Sequence, residues 1–151
     1  MQGDFLNKKE IKRILEQVEK QWGFTEEMNY VFFKNNKQRV SIVNKELAQL
    51  DLSKLRLNSL GMYFCEVMSS GEIRLSIEGS QLVGPFATKN VVSVSQEQAK
   101  QWLYGQDLEL PASVHGFVIL QFGNYFIGCG RYKEGLISNH VSKNRRIGTL
   151  N

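Results

Sequence analysis

Only two stretches of this chain read as helices, each opened by a capping box, and most of the rest reads as short strands and turns. Asn7 and Glu10 form an N-x-x-E box, in which the Asn side chain accepts from a first-turn amide while the Glu reaches back. Leu6 and Ile11 hold the hydrophobic-staple positions around it. Ile11, Ile14, Leu15, Val18 and Trp22 continue at helical spacing to a stop at Gly23. Ser95 and Gln98 open the second helix, over residues 96–104, which Gly105 ends. Its apolar positions, Ala99, Trp102 and Leu103, suit packing against a sheet. Two helices among many short strands predict an α+β domain built on a small β-barrel with a packed helix, not a doubly wound sheet.

The strand-like runs are placed by their turns. Residues 30–33 and 38–43 flank a polar, Asn-containing turn, and residues 62–67 and 72–77 flank Ser69, Ser70 and Gly71, so both pairs read as hairpins. Leu47, Leu50, Leu52 and Leu55 mark a helical or irregular connection. Gly79, Gly84 and Pro85 break regularity before Val91, Val92 and Val94. Residues 117–122, a Gly123-Asn124 turn, residues 125–129, and Leu136–Ile137 after Gly135 return to strands. A soft boundary between residues 50 and 60 divides a small α/β N-terminal extension, 1–56, from a second unit, 57–151.

Charge narrows the function. The formal net charge is +4, and all of it resides in the last 21 residues, which carry Arg131, Lys133, Lys143, Arg145 and Arg146 against Glu134. A localised basic patch on a neutral body points to a polyanionic partner, because each neutralised phosphate releases condensed counterions. A solvated basic tail is the bland alternative, but this segment also carries glycines and apolar residues at strand-like spacing. In the N-terminal helix, Lys12–Glu16 and Glu16–Lys20 are i,i+4 pairs, which favours a solvated face over an RNA contact from Lys8, Lys9 and Arg13. No apolar run approaches the roughly 20 residues that span a bilayer, and the start lacks a secretion signal, so a cytoplasmic protein without a membrane partner is expected.

Catalytic chemistry is hard to assemble. His115 and His140 stand in no metal-binding spacing with cysteine, and Cys65 and Cys129 read as core side chains, a disulfide being disfavoured in a reducing cytosol. Gly128-Cys129-Gly130 lacks the third glycine of a dinucleotide fingerprint. No enzyme, cofactor or metal is expected.

The candidate site is the segment from Gly128 onward. Gly128 and Gly130 permit close backbone approach; Arg131, Lys133, Lys143, Arg145 and Arg146 can grip phosphates; Asn139 and His140 can read base edges or ribose hydroxyls; Tyr132 offers a ring for stacking. The structural alternative is that the glycines serve barrel corners and Tyr132 belongs to the core.

The stretch G-F-V-I-L-Q-F-G-N-Y-F-I-G-C-G-R-Y-K-E-G-L-I-S-N-H-V-S-K-N-R-R-I resembles the PUA-like RNA-binding module of Fmu/Sun-type ribosomal RNA cytosine methyltransferases. In that family a G-x-G kink is followed by a basic residue, a glycine turn and an N-x-x-P-K-x-x-R-like ending. Upstream, L-S-I-E-G-S-Q-L-V-G-P-F-A-T-K-N-V-V and Q-A-K-Q-W-L-Y-G-Q-D-L-E-L are similar to small stand-alone archaeal proteins built from this module and an N-terminal extension. The resemblance covers residues 57–147 and departs at Ser142, where the family places proline. It implies a PUA-like small β-barrel with a packed helix. It also implies a stand-alone, non-catalytic protein without the methyltransferase domain, binding structured ribosomal or transfer RNA in RNA maturation or ribosome biogenesis, with an RNA-modifying enzyme as a partner in trans. Carried over with it are Gly128, Gly130, Arg131, Lys133, Asn139, Lys143, Arg145 and Arg146, with Lys89 and Asn90 as a further pair in the loop before the second helix. A protein-interaction adaptor in ribosome assembly, using the same basic strip, is the competing expectation.

Overall fold

The computed structural model describes residues 3–49, 61–140 and 146. Helix α1 (Lys8–Trp22) begins at the expected cap: Asn7 Oδ1 accepts from Glu10 N at 2.9 Å, and Asn7 N donates to Glu10 Oε1 at 3.0 Å. It ends where Gly23, at φ 71°, turns left-handed and donates to the Glu19 carbonyl. Its inward stripe is Ile14, Val18 and Trp22, with Leu6, Ile11 and Leu15 packed beside it.

Among the described residues, ten strands form two five-stranded sheets. The first runs in chain order through β1 (Gly3–Phe5), β2 (Tyr30–Asn35), β3 (Arg39–Asn44), β4 (Met62–Val67) and β5 (Ile73–Leu75), antiparallel throughout. A short helix α2 (Lys45–Ala48) follows β3. Strands β3 and β4, on either side of residues 50–60, pair directly. The Gln21 side chain acts as a further strand at the β5 edge, donating to the Ile73 carbonyl and accepting from Ile73 N, both at 2.8 Å.

The second sheet is ordered β6 (Val91–Ser93), β8 (Gly116–Phe122), β9 (Tyr125–Lys133), β10 (Leu136–Ser138), β7 (Leu108–Glu109), with β6 and β8 parallel and the other pairs antiparallel. Its edges β6 and β7 are not paired with each other among the described residues, so the barrel is realised as a half-barrel. Helix α4 (Gln96–Leu103) packs on it, opened by the Ser95–Gln98 box. The fold is α+β, as expected.

Strand β8 reads as a nearly unbroken apolar run because both of its faces are covered. Phe117 and Ile119 point into the core with α1 and the first sheet, where Cys129 also lies; Val118 and Leu120 point into the core with Ala99, Trp102, Leu108 and Ile137. The half-barrel sheet is therefore the shared wall between two cores.

Helix α3 (Ile77–Val83) is a helix that the sequence did not announce, and it takes up Ile77, which read as the end of a strand. Ser76 caps it, its Oγ accepting from Gly79 N at 2.9 Å. A β-carbon at Gly79 would collide with the Phe64 carbonyl, and one at Gly84 with the Phe126 ring. The glycines that broke the sequence pattern are thus sites of close helix–strand approach.

Candidate nucleic-acid interface

Strands β9 and β10 present the candidate site. The β8–β9 register places Arg131 opposite Phe117 and Tyr132 opposite Gly116, while β9 pairs Arg131 with Ser138 of β10. Arg131 and Lys133 thus follow Cys129 on one face of β9, beyond the reach of the core, and both are exposed. The β9–β10 turn is made by Glu134 and Gly135, at φ 52° and 81°. The basic side chains stand on a fixed hairpin.

The other face of β9 is shaped by Trp102, which is fully buried. A β-carbon at Gly128 would stand 2.7 Å from its indole Nε1, and one at Gly130 would stand 2.6 Å from Cη2. Gly128 also carries φ 154° beside the register shift between Leu120 and Gln121. The G-x-G kink therefore accommodates the helix tryptophan. Tyr132 lies on this face, packed against the second core, and its hydroxyl accepts from Ala112 N at 3.1 Å. That anchors the ring.

Asn139 ties the end of β10 to the C-terminal end of α4. Its amide nitrogen donates to the carbonyls of Trp102 and Gln106, at 2.8 and 3.0 Å, and its backbone N–H donates to Asp107 Oδ1 at 2.7 Å. The Arg146 side chain lies over Gly105, where a β-carbon would collide with it. A guanidinium beside the end of a helix meets the negative end of the helix dipole. Lys143, Arg145 and Ser142 lie outside the described residues.

Lys89 and Asn90 sit apart from this hairpin, before β6. Lys89 is exposed. Asn90 adopts φ 57° and is engaged internally: Nδ2 donates to the Gln21 carbonyl at 2.7 Å, Oδ1 accepts from His115 N at 3.1 Å, and its own carbonyl accepts from Ile119 N. It fastens the C-terminal end of α1 to the second sheet.

His140 opens onto a constellation that the sequence did not flag. A cavity of about 180 Å³ lies between the two sheets, lined by Arg39, Tyr63, Arg74, Glu78 and His140, with Leu75, Ile77 and Cys129 among its apolar walls. Glu66 is shared by two arginines, at 3.2 Å from Arg74 Nη2 and 3.7 Å from Arg39 Nε, and the Arg39 guanidinium lies 5.6 Å from the centre of the Tyr63 ring. Burial, then the Glu66 charge, pushes the Tyr63 hydroxyl up against the opposing arginines. Partial burial, then the charge of Arg74, holds His140 below its usual value against the pull of Asp107 and Glu66, so its imidazole is neutral at physiological pH. Arg39 and Arg74 each read as the polar position of an alternating strand. Only the β3–β4–β5 register, which pairs Arg39 with Glu66 and Glu66 with Arg74, brings them together.

Both cysteines are buried free thiols in the first core. Burial, opposed by a backbone hydrogen bond from Leu75 and the charge of Arg74, pushes Cys129 up to about 12; burial, then Cys129 and Glu66, pushes Cys65 higher. A protonated buried thiol is a poor nucleophile. His115 is exposed.

Residues 89–147 match the family model of the methyltransferase RsmF PUA domain. This stretch is a PUA-like module of the RsmF (Fmu/Sun) type, from a class of domain that suggests RNA binding. It contains β6 to β10 and α4, and the twelve candidate residues from Lys89 to Arg146 all lie within it. The match begins at residue 89, later than the resemblance from residue 57, and identifies no catalytic domain. No curated protein matches the chain. Among the described residues, no helix is long and apolar enough to cross a membrane.

Proposed function

We propose that this protein is a non-catalytic, cytoplasmic RNA-binding protein that acts on structured ribosomal or transfer RNA in RNA maturation or ribosome biogenesis, alongside an RNA-modifying enzyme in trans. The observation that carries the reading is the exposed Arg131–Lys133 pair, held on the β9–β10 hairpin of a PUA-like module and followed in sequence by Lys143, Arg145 and Arg146. These side chains supply phosphate contacts, with Lys89 as an outlying one. Gly128, Gly130, Tyr132, Asn90 and Asn139 contribute by fixing the framework that presents them, and His140 stands nearest to groups that could reach a base. The division into a 1–56 extension and a 57–151 RNA-binding unit belongs to the same proposal, with the extension packed integrally because β3 and β4 pair across the boundary.

Crosslinking in cells, followed by sequencing of the bound RNA, tests the reading. Enrichment of structured ribosomal or transfer RNA segments is the expected result. Protein partners that survive nuclease treatment, with no RNA enriched over background, would overturn it in favour of the ribosome-assembly adaptor.

A further inference from the structure

The cavity between the two sheets lies largely outside the matched residues 89–147: Arg39, Tyr63, Arg74 and Glu78 precede them, and the matched stretch adds its own wall from β9 and His140. Size limits what it holds. At about 180 Å³ it falls below the roughly 300–1,000 Å³ of ordinary small-molecule sites, but slightly above the roughly 150 Å³ of a cavity that admits a benzene ring. A single heterocycle fits these dimensions.

Charge limits the chemistry further. The lining carries Arg39, Arg74 and Glu78, and both arginines are paired with Glu66 outside it, so the charges at the cavity nearly balance and offer no strong trap for an isolated phosphate. What they offer is a mixture of donors and acceptors around apolar walls. A neutral His140 imidazole presents one donor and one acceptor, and the Arg39–Tyr63 pair presents planar surfaces. The Arg39 side chain is 52% exposed, so it can also meet a sugar-phosphate chain passing outside. His140 belongs both to the cavity and to the chain segment leading to Lys143, Arg145 and Arg146.

We infer that this cavity receives one unstacked base of the RNA whose backbone is held by the basic strip, with Tyr63, Arg74 and His140 reading it. The inference rests on the RNA-binding reading above. It makes the N-terminal sheet part of the recognition surface, because a base reaching the cavity contacts β3, β4 and β5 as well as the module.

The test uses the full chain and two RNA hairpins of equal length, one fully paired in its stem and one with a single unpaired 4-thiouridine. Photocrosslinking of the second hairpin to the wild-type protein is expected to map to peptides containing Tyr63, residues 74–78 or His140. The unpaired hairpin is expected to bind about tenfold tighter than the paired one, a preference that His140→Ala and Tyr63→Leu each reduce severalfold while the salt dependence stays unchanged. Crosslinks confined to residues 89–93 and 131–133, or an undiminished preference in folded variants, would overturn the base pocket and leave RNA binding standing. If the wild type binds neither hairpin, both readings fall. The crosslinking arm needs only wild-type protein, so it decides the matter even if Tyr63→Leu fails to fold.

Discussion

Trp102→Ala is expected to lower the unfolding free energy by about 3–5 kcal/mol, which is most of the margin of a protein near the low end of the usual range of about 5–15 kcal/mol. The indole is fully buried and fills the space left by Gly128 and Gly130, so truncation leaves a hole that those two residues have no side chains to fill. The complementary change, Gly130→Ala, sets a β-carbon 2.6 Å from Trp102 Cη2 and 2.5 Å from the Ser138 carbonyl, and overpacking of this kind costs about 1–3 kcal/mol. Because both changes act on one contact, the double variant Gly130→Ala/Trp102→Ala is expected to lose less than the sum of the two. Urea unfolding followed by circular dichroism measures all three. A loss below about 1 kcal/mol for Trp102→Ala would mean that the helix is not held to the sheet in this way.

Reversing the charge of Arg131, Lys133, Lys143 and Arg145 to Glu is expected to weaken RNA binding on the order of a hundredfold while leaving the melting transition in place. Arg131 and Lys133 are exposed, and surface substitutions of this kind stay within about 0.5 kcal/mol. Arg146 is left unchanged, because its side chain packs over Gly105 and its reversal would confound binding with folding. The loss is expected to be similar for RNAs of different sequence, since phosphate contacts position a chain without reading it. Filter binding at fixed salt checks the result, and an affinity equal to that of the wild type would remove the strip from the site.

The parts of the fold that were legible in the sequence are those set by local chemistry. Both capping boxes, the Gly23 stop and the 116–133 hairpin depend on residues within a few positions of one another. Helix α3 was hidden because Gly79 and Gly84 have low helix propensity, and the contacts that demand them, Phe64 and Phe126, are distant in sequence. Strands β1 and β7 are three and two residues long, too short for alternation to register. The site divides in the same manner. The exposure of Arg131 and Lys133 follows from charge, so it could be read directly. Asn90, Asn139, Gly128 and Gly130 stood out as special positions, but what each one satisfies lies on another element. The Arg39–Glu66–Arg74 cluster was invisible because strand register assembles it from three unremarkable polar positions.

On the proposed function, a basic strip on the PUA-like module binds RNA through its phosphates. Titrating the affinity of the wild-type protein for transfer RNA or a ribosomal RNA fragment against salt tests it most directly. The logarithm of the binding constant is expected to fall linearly with the logarithm of salt, with a slope of about −0.7 to −0.9 for each phosphate neutralised. An affinity that is absent, or that stays flat from low to physiological salt, would contradict the account.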